Sequence, residues 1–412
     1  MLDQRSDVLK WTGRKRVRVK LLLVLGGLIA GLLIAEVALR IIGYSYPIFY
    51  TTDRHLALVL RPGVEGWYRK ENETYVRINS DGLRDREHSK VKPANTLRIA
   101  VIGDSYAEAL QVPLERAFWA VMEQRLQECE AFAGKRVEAI NFGVSGYGTA
   151  QELLTLRRRV WDYSPDIVLL AFFSGNDISD NSRALKKTDI PYFVYREGRL
   201  VLDDSFQDSP HFRFRRSALN EFGRWIRDKL RVIQVVHEAH YGFKAYLAAR
   251  KAQKDQERSG QAPAGPPQGE ELGTDILIYR EPADSVWQEA WRITEGLIVL
   301  MRDEVRERGA KFLVVNLSNG IQVHPDASGR QAFMKRLGIN DLFYPERRIK
   351  DLGEREGIAV LNLAPALQSY AEQNRVFLHG FGSDIGNGHW NELGHRVAGE
   401  MIARKVCEGM AR

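Results

Sequence analysis

The stretch NTLRIAVIGDSYAEAL, residues 95–110, sets the reading of the whole chain. Leu97, Ile99, Val101 and Ile102 are branched apolar residues of the kind that fill a strand buried on both faces. The run stops at Gly103, where a sharp turn is permitted, and Ser105 stands where the chain leaves the strand for a helix. A serine at the carboxyl end of a parallel strand is well placed for chemistry. It is equally at home as a plain helix cap.

Outward from that strand the pattern alternates. Further strands are expected at 136–142, 167–173, 311–317 and 358–362, and helices at 115–129, 149–159, 285–308, 345–356 and 391–408. Short apolar strands between amphipathic helices predict an α/β fold, a three-layer α/β/α sandwich around a parallel flavodoxin-like sheet. Residues 43–95 read as a small membrane-proximal β element, with a strand in ETYVRINSDGLRD and a turn at Asp81-Gly82. The alternation is interrupted at 181–284. Leu219, Phe222, Ile226, Leu230 and Ile233 make a helical stripe there, and QKDQERSGQAPAGPPQGEELG reads as a flexible linker. An insertion of this length after a strand's carboxyl end is expected to act as a lid. Its Arg213, Arg215, Arg216, Arg224, Arg227 and Arg231, interleaved with Phe212, Phe214 and Trp225, suit lipid headgroups or an acidic glycan; a solvated face is the plainer explanation.

The formal net charge of +7 is concentrated at the amino terminus. Residues 1–20 hold seven Lys/Arg against two Asp, which leaves +2 for the rest, so the main domain is not built for nucleic acid. Behind the basic cluster comes RKRVRVKLLLVLGGLIAGLLIAEVALRIIG, in which residues 21–35 carry no charge. A helix extended from Val17 to Ile42 is long enough to cross a bilayer. Arg18 and Lys20 snorkel at one interface, and Glu36 and Arg40 pair at i, i+4 near the other. A cleaved signal peptide is the rival reading, but no clear A-x-A site follows. Residues 1–42 are therefore expected to be a basic tail and single-pass anchor, with the remainder extracytoplasmic.

The only cysteines are Cys129 and Cys407, with no spacing for zinc. In a sheet ordered 2-1-3-4-5, the helices that follow Ser105 and the last glycine-rich turn lie side by side and end together. A Cys129–Cys407 disulfide is the resulting expectation in an oxidising compartment.

Four polar, glycine-rich stretches fall at one rim of the expected sheet: GDS at 103–105, NFGVSGYGTAQE at 141–152, FFSGNDISD at 172–180 and GSDIGNGHWNELGHR at 382–396. In that order they resemble the SGNH/GDSL hydrolase family, over about 95–180 and 285–412. The anchor and VRINSDGLRD resemble its membrane-bound bacterial branch. The resemblance implies a catalytic domain of 96–180 and 285–412, with Ser105 as nucleophile and His389 as base. It also implies an oxyanion hole of the Ser105 backbone N–H, Gly146 and Asn176. The chemistry agrees, since a serine hydroxyl needs an imidazole to take its proton and an oxyanion needs aimed donors. Asn176 as a turn former and His389 as a surface loop residue are the plainer readings. His395 lies inside the last helix, where a packed or capping role fits better. The family usually has an aspartate two or three residues before the histidine; here Gly386 and Asn387 stand there. Asp384 is the nearest candidate to orient His389, and a backbone carbonyl is the alternative. A G-x-S-x-G elbow is disfavoured by Ala107.

The expected activity is cleavage or transfer of an O-acyl group, most simply acetyl, on a carbohydrate or envelope glycan, the carbohydrate following from the resemblance alone. A transferase working with a membrane acyl-donor partner uses the same acyl-serine. A non-catalytic envelope-binding protein is the reading from another class. No metal or organic cofactor is indicated, and the expected partners are the acylated substrate and the membrane.

Overall fold

A computed structural model describes residues 3–259 and 275–410. The chain divides into two compact units, one of Met1–Ile48 with Ala218–Gln261 and one of Phe49–Ser217 with Ala262–Arg412.

The larger unit is built on five parallel strands: β1 (Thr96–Gly103), β2 (Arg136–Asn141), β3 (Ile167–Phe172), β4 (Lys311–Asn316) and β5 (Ala359–Asn362). Their order across the sheet is β5-β4-β3-β1-β2, the doubly wound arrangement expected. Alternation along β1 explains the layers. Leu97, Ile99 and Val101 point into one apolar cluster with Phe118, Met122, Leu126, Val397 and Ile402. Ala100 and Ile102 point into the other, with Leu153, Leu297, Met301 and Ile349. The helices on the first face are Phe118–Gln127 and Glu392–Met410. Those on the second are Thr149–Arg158, Ser285–Glu307 and Tyr344–Glu356. Both faces are covered, which is why the strand reads as an unbroken apolar run.

Arg98 is the exception within β1. It is fully buried, and its guanidinium is satisfied by Glu138 Oε2 at 2.7 Å and the carbonyls of Tyr163 and Ser89. His88 joins this cluster, pairing with Glu138 at 2.9 Å and Asp85 at 3.1 Å.

The expected disulfide is present. Cys129 follows the helix Phe118–Gln127 and Cys407 lies in the last helix, with Cα atoms 6.1 Å apart. The two helices pack closely enough that a Cβ on Gly399 would meet Phe118 O at 2.5 Å.

Before the sheet come two hairpins, Tyr50–Asp53 with Ala57–Leu60 and Glu65–Tyr68 with Thr74–Arg77. The turn at Asp81-Gly82 is formed, with Gly82 N donating to Asn79 O at 3.1 Å.

The insertion is divided between the two units. The hairpin Tyr192–Arg196/Arg199–Asp203 and the helix Pro210–Arg215 belong to the unit of the sheet. The helices Ala218–Lys229 and Arg231–Ser259 belong instead with the amino-terminal helix Asp3–Ile41. Residues 253–259 of the expected linker continue a helix; 260–273 lie outside the described residues. In that smaller unit Arg40 donates to Lys229 O at 2.7 Å, and Glu36 accepts from Val232 N at 3.0 Å. Over Arg18–Ile41 the first helix is long and apolar enough to cross a membrane, a test that a signal sequence also passes.

Candidate active site

Ser105 opens a four-residue helix, Ser105–Glu108, directly after β1. Asp104 caps it by accepting from Tyr106 N at 2.9 Å. The backbone must turn tightly here, and the next rim segment presses on it. A Cβ on Gly143 would lie 2.5 Å from Ala107 Cβ and 2.7 Å from Glu108 N.

The rim residues expected from sequence converge. His389 Nε2 lies 2.8 Å from Ser105 Oγ, although 284 positions separate them. Ser105 Oγ and Asn176 Nδ2 both border Asp104 Oδ2, at 3.5 and 3.4 Å, so the hydroxyl and the amide are neighbours. Burial pushes the Asp104 carboxyl above its ordinary range. Gly146 sits at φ +79° in a turn tied to the end of β1 by Val144 N donating to Gly103 O at 3.1 Å. That turn is also gripped from inside. Glu108, fully buried, accepts from Ser145 N at 2.7 Å, from the Ser145 hydroxyl and from Tyr50 Oη at 2.9 Å.

Asp384 is not at His389. It is exposed, its N–H donating to Phe381 O and its carbonyl accepting from Asn387 N. Gly386 and Gly388, both at positive φ, turn the loop between Asp384 and His389, and Gly386 N is held by His379 O. Both carboxylate oxygens of Glu71 lie 2.8 Å from His389 Nδ1, and Glu71 Oε2 also accepts from His389 N at 3.2 Å. Glu71 sits in the turn of the hairpin Glu65–Tyr68/Thr74–Arg77, outside every glycine-rich stretch. Burial raises its carboxyl, but the bonds and charge of His389, with Gln111, outweigh this and hold it below the usual carboxylate range. A Cβ at Gly388 would lie 3.0 Å from Glu71 Oε2, so glycine there lets the carboxylate approach.

Aromatic packing fixes the imidazole. The Tyr106 ring lies 4.9 Å from that of His389, and its hydroxyl donates to Gly388 O at 3.2 Å. Beneath it His379 is buried between Gly388 O and Ser318 Oγ. Burial lowers His379 to about 3, so it is neutral. His395 is a packed histidine as expected: it accepts from Phe118 N at 3.2 Å and stacks on the Phe118 ring.

A serine after the first core strand, an asparagine after the third and a histidine before the last helix stand at one rim of a 2-1-3-4-5 parallel sheet. That is the arrangement the resemblance to the SGNH hydrolases implies. Solved structures similar to this chain include the acetyl xylan esterase AlAXEase, at 12% identity and TM-score 0.37, covering 75% of this chain and 99% of that one. A putative lipolytic protein of the G-D-S-L family from Desulfitobacterium hafniense DCB-2 is 12% identical at TM-score 0.33, covering 74% and 98%. TesA is 12% identical at TM-score 0.33, covering 75% and 99%. No family model and no curated protein matches the chain. Likeness this distant leaves the chemistry to be argued from the rim itself. A cavity of about 410 Å³ opens against that rim, lined by Ser145, Gly146 and Tyr147 with Leu58, Gln151 and Lys187.

Proposed function

We propose that this chain is a serine esterase of SGNH type, anchored by Asp3–Ile41 in a bacterial inner membrane with its sheet domain outside the cytoplasm. Its substrate is an O-acylated carbohydrate, with acetyl the simplest acyl group, and it works through an acyl-serine. The observation that carries this reading is the relay Ser105 Oγ to His389 Nε2, 2.8 Å, and His389 Nδ1 to Glu71, 2.8 Å.

The chemistry follows from those atoms. Ser105 Oγ attacks the ester carbonyl while His389 Nε2 takes its proton. The imidazolium so formed lies against the ionised Glu71 carboxylate, which holds the ring's tautomer and stabilises its charge. The developing oxyanion is met by the Ser105 N–H, the Gly146 N–H and Asn176 Nδ2. Donors that are already oriented cost no reorganisation when the charge appears. Collapse breaks the ester bond, and His389 returns the proton to the leaving sugar oxygen. Water, or a second sugar hydroxyl, then attacks the acyl-Ser105 with His389 again as base. Hydrolysis and transfer share every group up to that step. The cavity beside Gly146 gives a substrate that reaches the oxyanion donors a polar neighbour, Gln151 and Lys187 among its walls. The disulfide supports an oxidising location for the sheet domain.

A fluorophosphonate probe tests the reading directly. The wild-type chain should be labelled at Ser105 and the Ser105→Ala variant should not. An unlabelled wild type that hydrolyses no aryl acetate would instead favour a non-catalytic binding protein on the same fold.

A further inference from the structure

The helix Ala218–Lys229 is folded inside out for a protein in water. Leu219, Phe222, Ile226 and Leu230 recur at spacings of three and four and so share one side of the helix and its end. Leu219, Phe222 and the flanking Trp225 are 73%, 57% and 56% exposed. Arg224, Arg227 and Asp228 are the charged residues turned inward, while Glu221 and Lys229 are exposed. Arg224 retains only 18% exposure of its side chain, Arg227 bonds His237 on the next helix, and Asp228 accepts from Ile48 N. Phe222 and Trp225 stack on each other, ring centroids 5.9 Å apart, rather than on the protein core.

The place of this face identifies what covers it. The junction between Ala218–Lys229 and Arg231–Ser259 is pinned to the first helix at Glu36 and Arg40. Glu36 is the first charge after the uncharged run 21–35, so it marks where the apolar stretch ends. A helix held there, with Trp, Phe and Leu outward and Lys229 exposed at its end, has the composition of an interfacial membrane helix. Water gives such a face no reason to exist, because large apolar patches on soluble surfaces are unfavourable.

We propose that Ala218–Lys229 is a second membrane attachment, lying in the outer interface of the bilayer that the first helix spans, with Leu219, Phe222 and Trp225 among the lipid chains. The proposal rests on reading the first helix as an uncleaved anchor. The experiment separates the two. Both native cysteines are in the disulfide, so single spin-labelled cysteines can be placed at Leu219, Phe222, Glu221 and Leu28. The full chain is reconstituted in vesicles of phosphatidylethanolamine and phosphatidylglycerol, and collision with oxygen is compared with collision with a water-soluble nickel chelate. The expected oxygen-to-nickel ratio is several-fold higher at Leu219→Cys and Phe222→Cys than at Glu221→Cys. Brominated lipid should also quench the wild type more than Trp225→Phe. A lipid-exposed label at Leu28→Cys with water-exposed labels at 219 and 222 overturns the interfacial helix and leaves the anchor standing. Labels at 219 and 222 shielded from both quenchers point to a protein partner and also overturn it. A water-exposed Leu28→Cys label removes the anchor, and the inference falls with it.

Discussion

Glu71 and His389 lie 318 positions apart in sequence and meet with both carboxylate oxygens 2.8 Å from Nδ1. The carboxylate comes from a hairpin that precedes the sheet, and the histidine from the loop before the last helix. Glu71→Gln keeps the shape but loses the charge that stabilises the imidazolium. Turnover of an aryl acetate should fall about 10³–10⁴-fold. Asp384→Asn should leave the rate within about twofold, because that side chain is exposed and away from the ring. Steady-state kinetics on the two variants side by side decides between them; equal damage would return the role to Asp384.

The oxyanion donors make a graded prediction. Asn176→Ala should cost about 10²–10³ in kcat with little change in KM, since the amide acts on charge that appears only in the transition state. Gly146→Ala has free space for its Cβ but must hold φ near +79°. The turn should shift by its backbone strain, lowering kcat while thermal stability falls by about 1 kcal/mol. A Gly146→Ala enzyme of normal kcat would remove that N–H from the site.

His88 predicts a pH dependence of stability rather than of rate. Burial alone would lower it, but its bonds to Asp85 and Glu138 raise it to about 9. A folded value above the unfolded one means the stabilisation is complete below pH 6.5 and is lost as the pH rises through 9. The loss should be of the order of 3 kcal/mol for this buried side chain. Melting temperature measured from pH 6 to about 9.5 should fall in the wild type and flatten in His88→Gln.

The disulfide closes a loop of 278 residues. The chain-entropy relation gives about 6 kcal/mol for such a loop, an upper figure given how often measured values fall short. Cys407→Ser should lower the melting temperature, and dithiothreitol should lower the wild type to the same level while leaving Cys407→Ser unmoved.

How legible was all this? The strands Ile167–Phe172 and Lys311–Asn316 are readable because burial on both faces makes each a largely apolar run, and the rim turns because glycines mark strand ends. The roles of Ser105, Gly146, Asn176 and His389 follow from the resemblance to the SGNH/GDSL family, and the structure brings these residues to one rim. Glu71 left no comparable trace. It is one glutamate in the charged turn KENET, and only the missing aspartate at 386–387 hinted that a carboxylate had to come from elsewhere. Contacts across hundreds of residues have no local periodicity to betray them. The insertion is less legible for a related reason. The stripe at Leu219–Leu230 correctly predicted a helix, but amphipathicity does not say which side meets the protein. That Arg224, Arg227 and Asp228 turn inward here is visible only in three dimensions.

The distance between Glu71 and His389 along the chain also sets a clock. At about 5–20 residues per second, the ribosome adds His389 roughly 15–65 seconds after Glu71. By the end of that interval the nascent chain holds Glu71, Ser105, Gly146 and Asn176 but still lacks His389. On the proposed esterase reading, a chain still being synthesised therefore lacks the group that would take the Ser105 proton. Competence arrives in one step, when the last glycine-rich loop closes on a hairpin made long before.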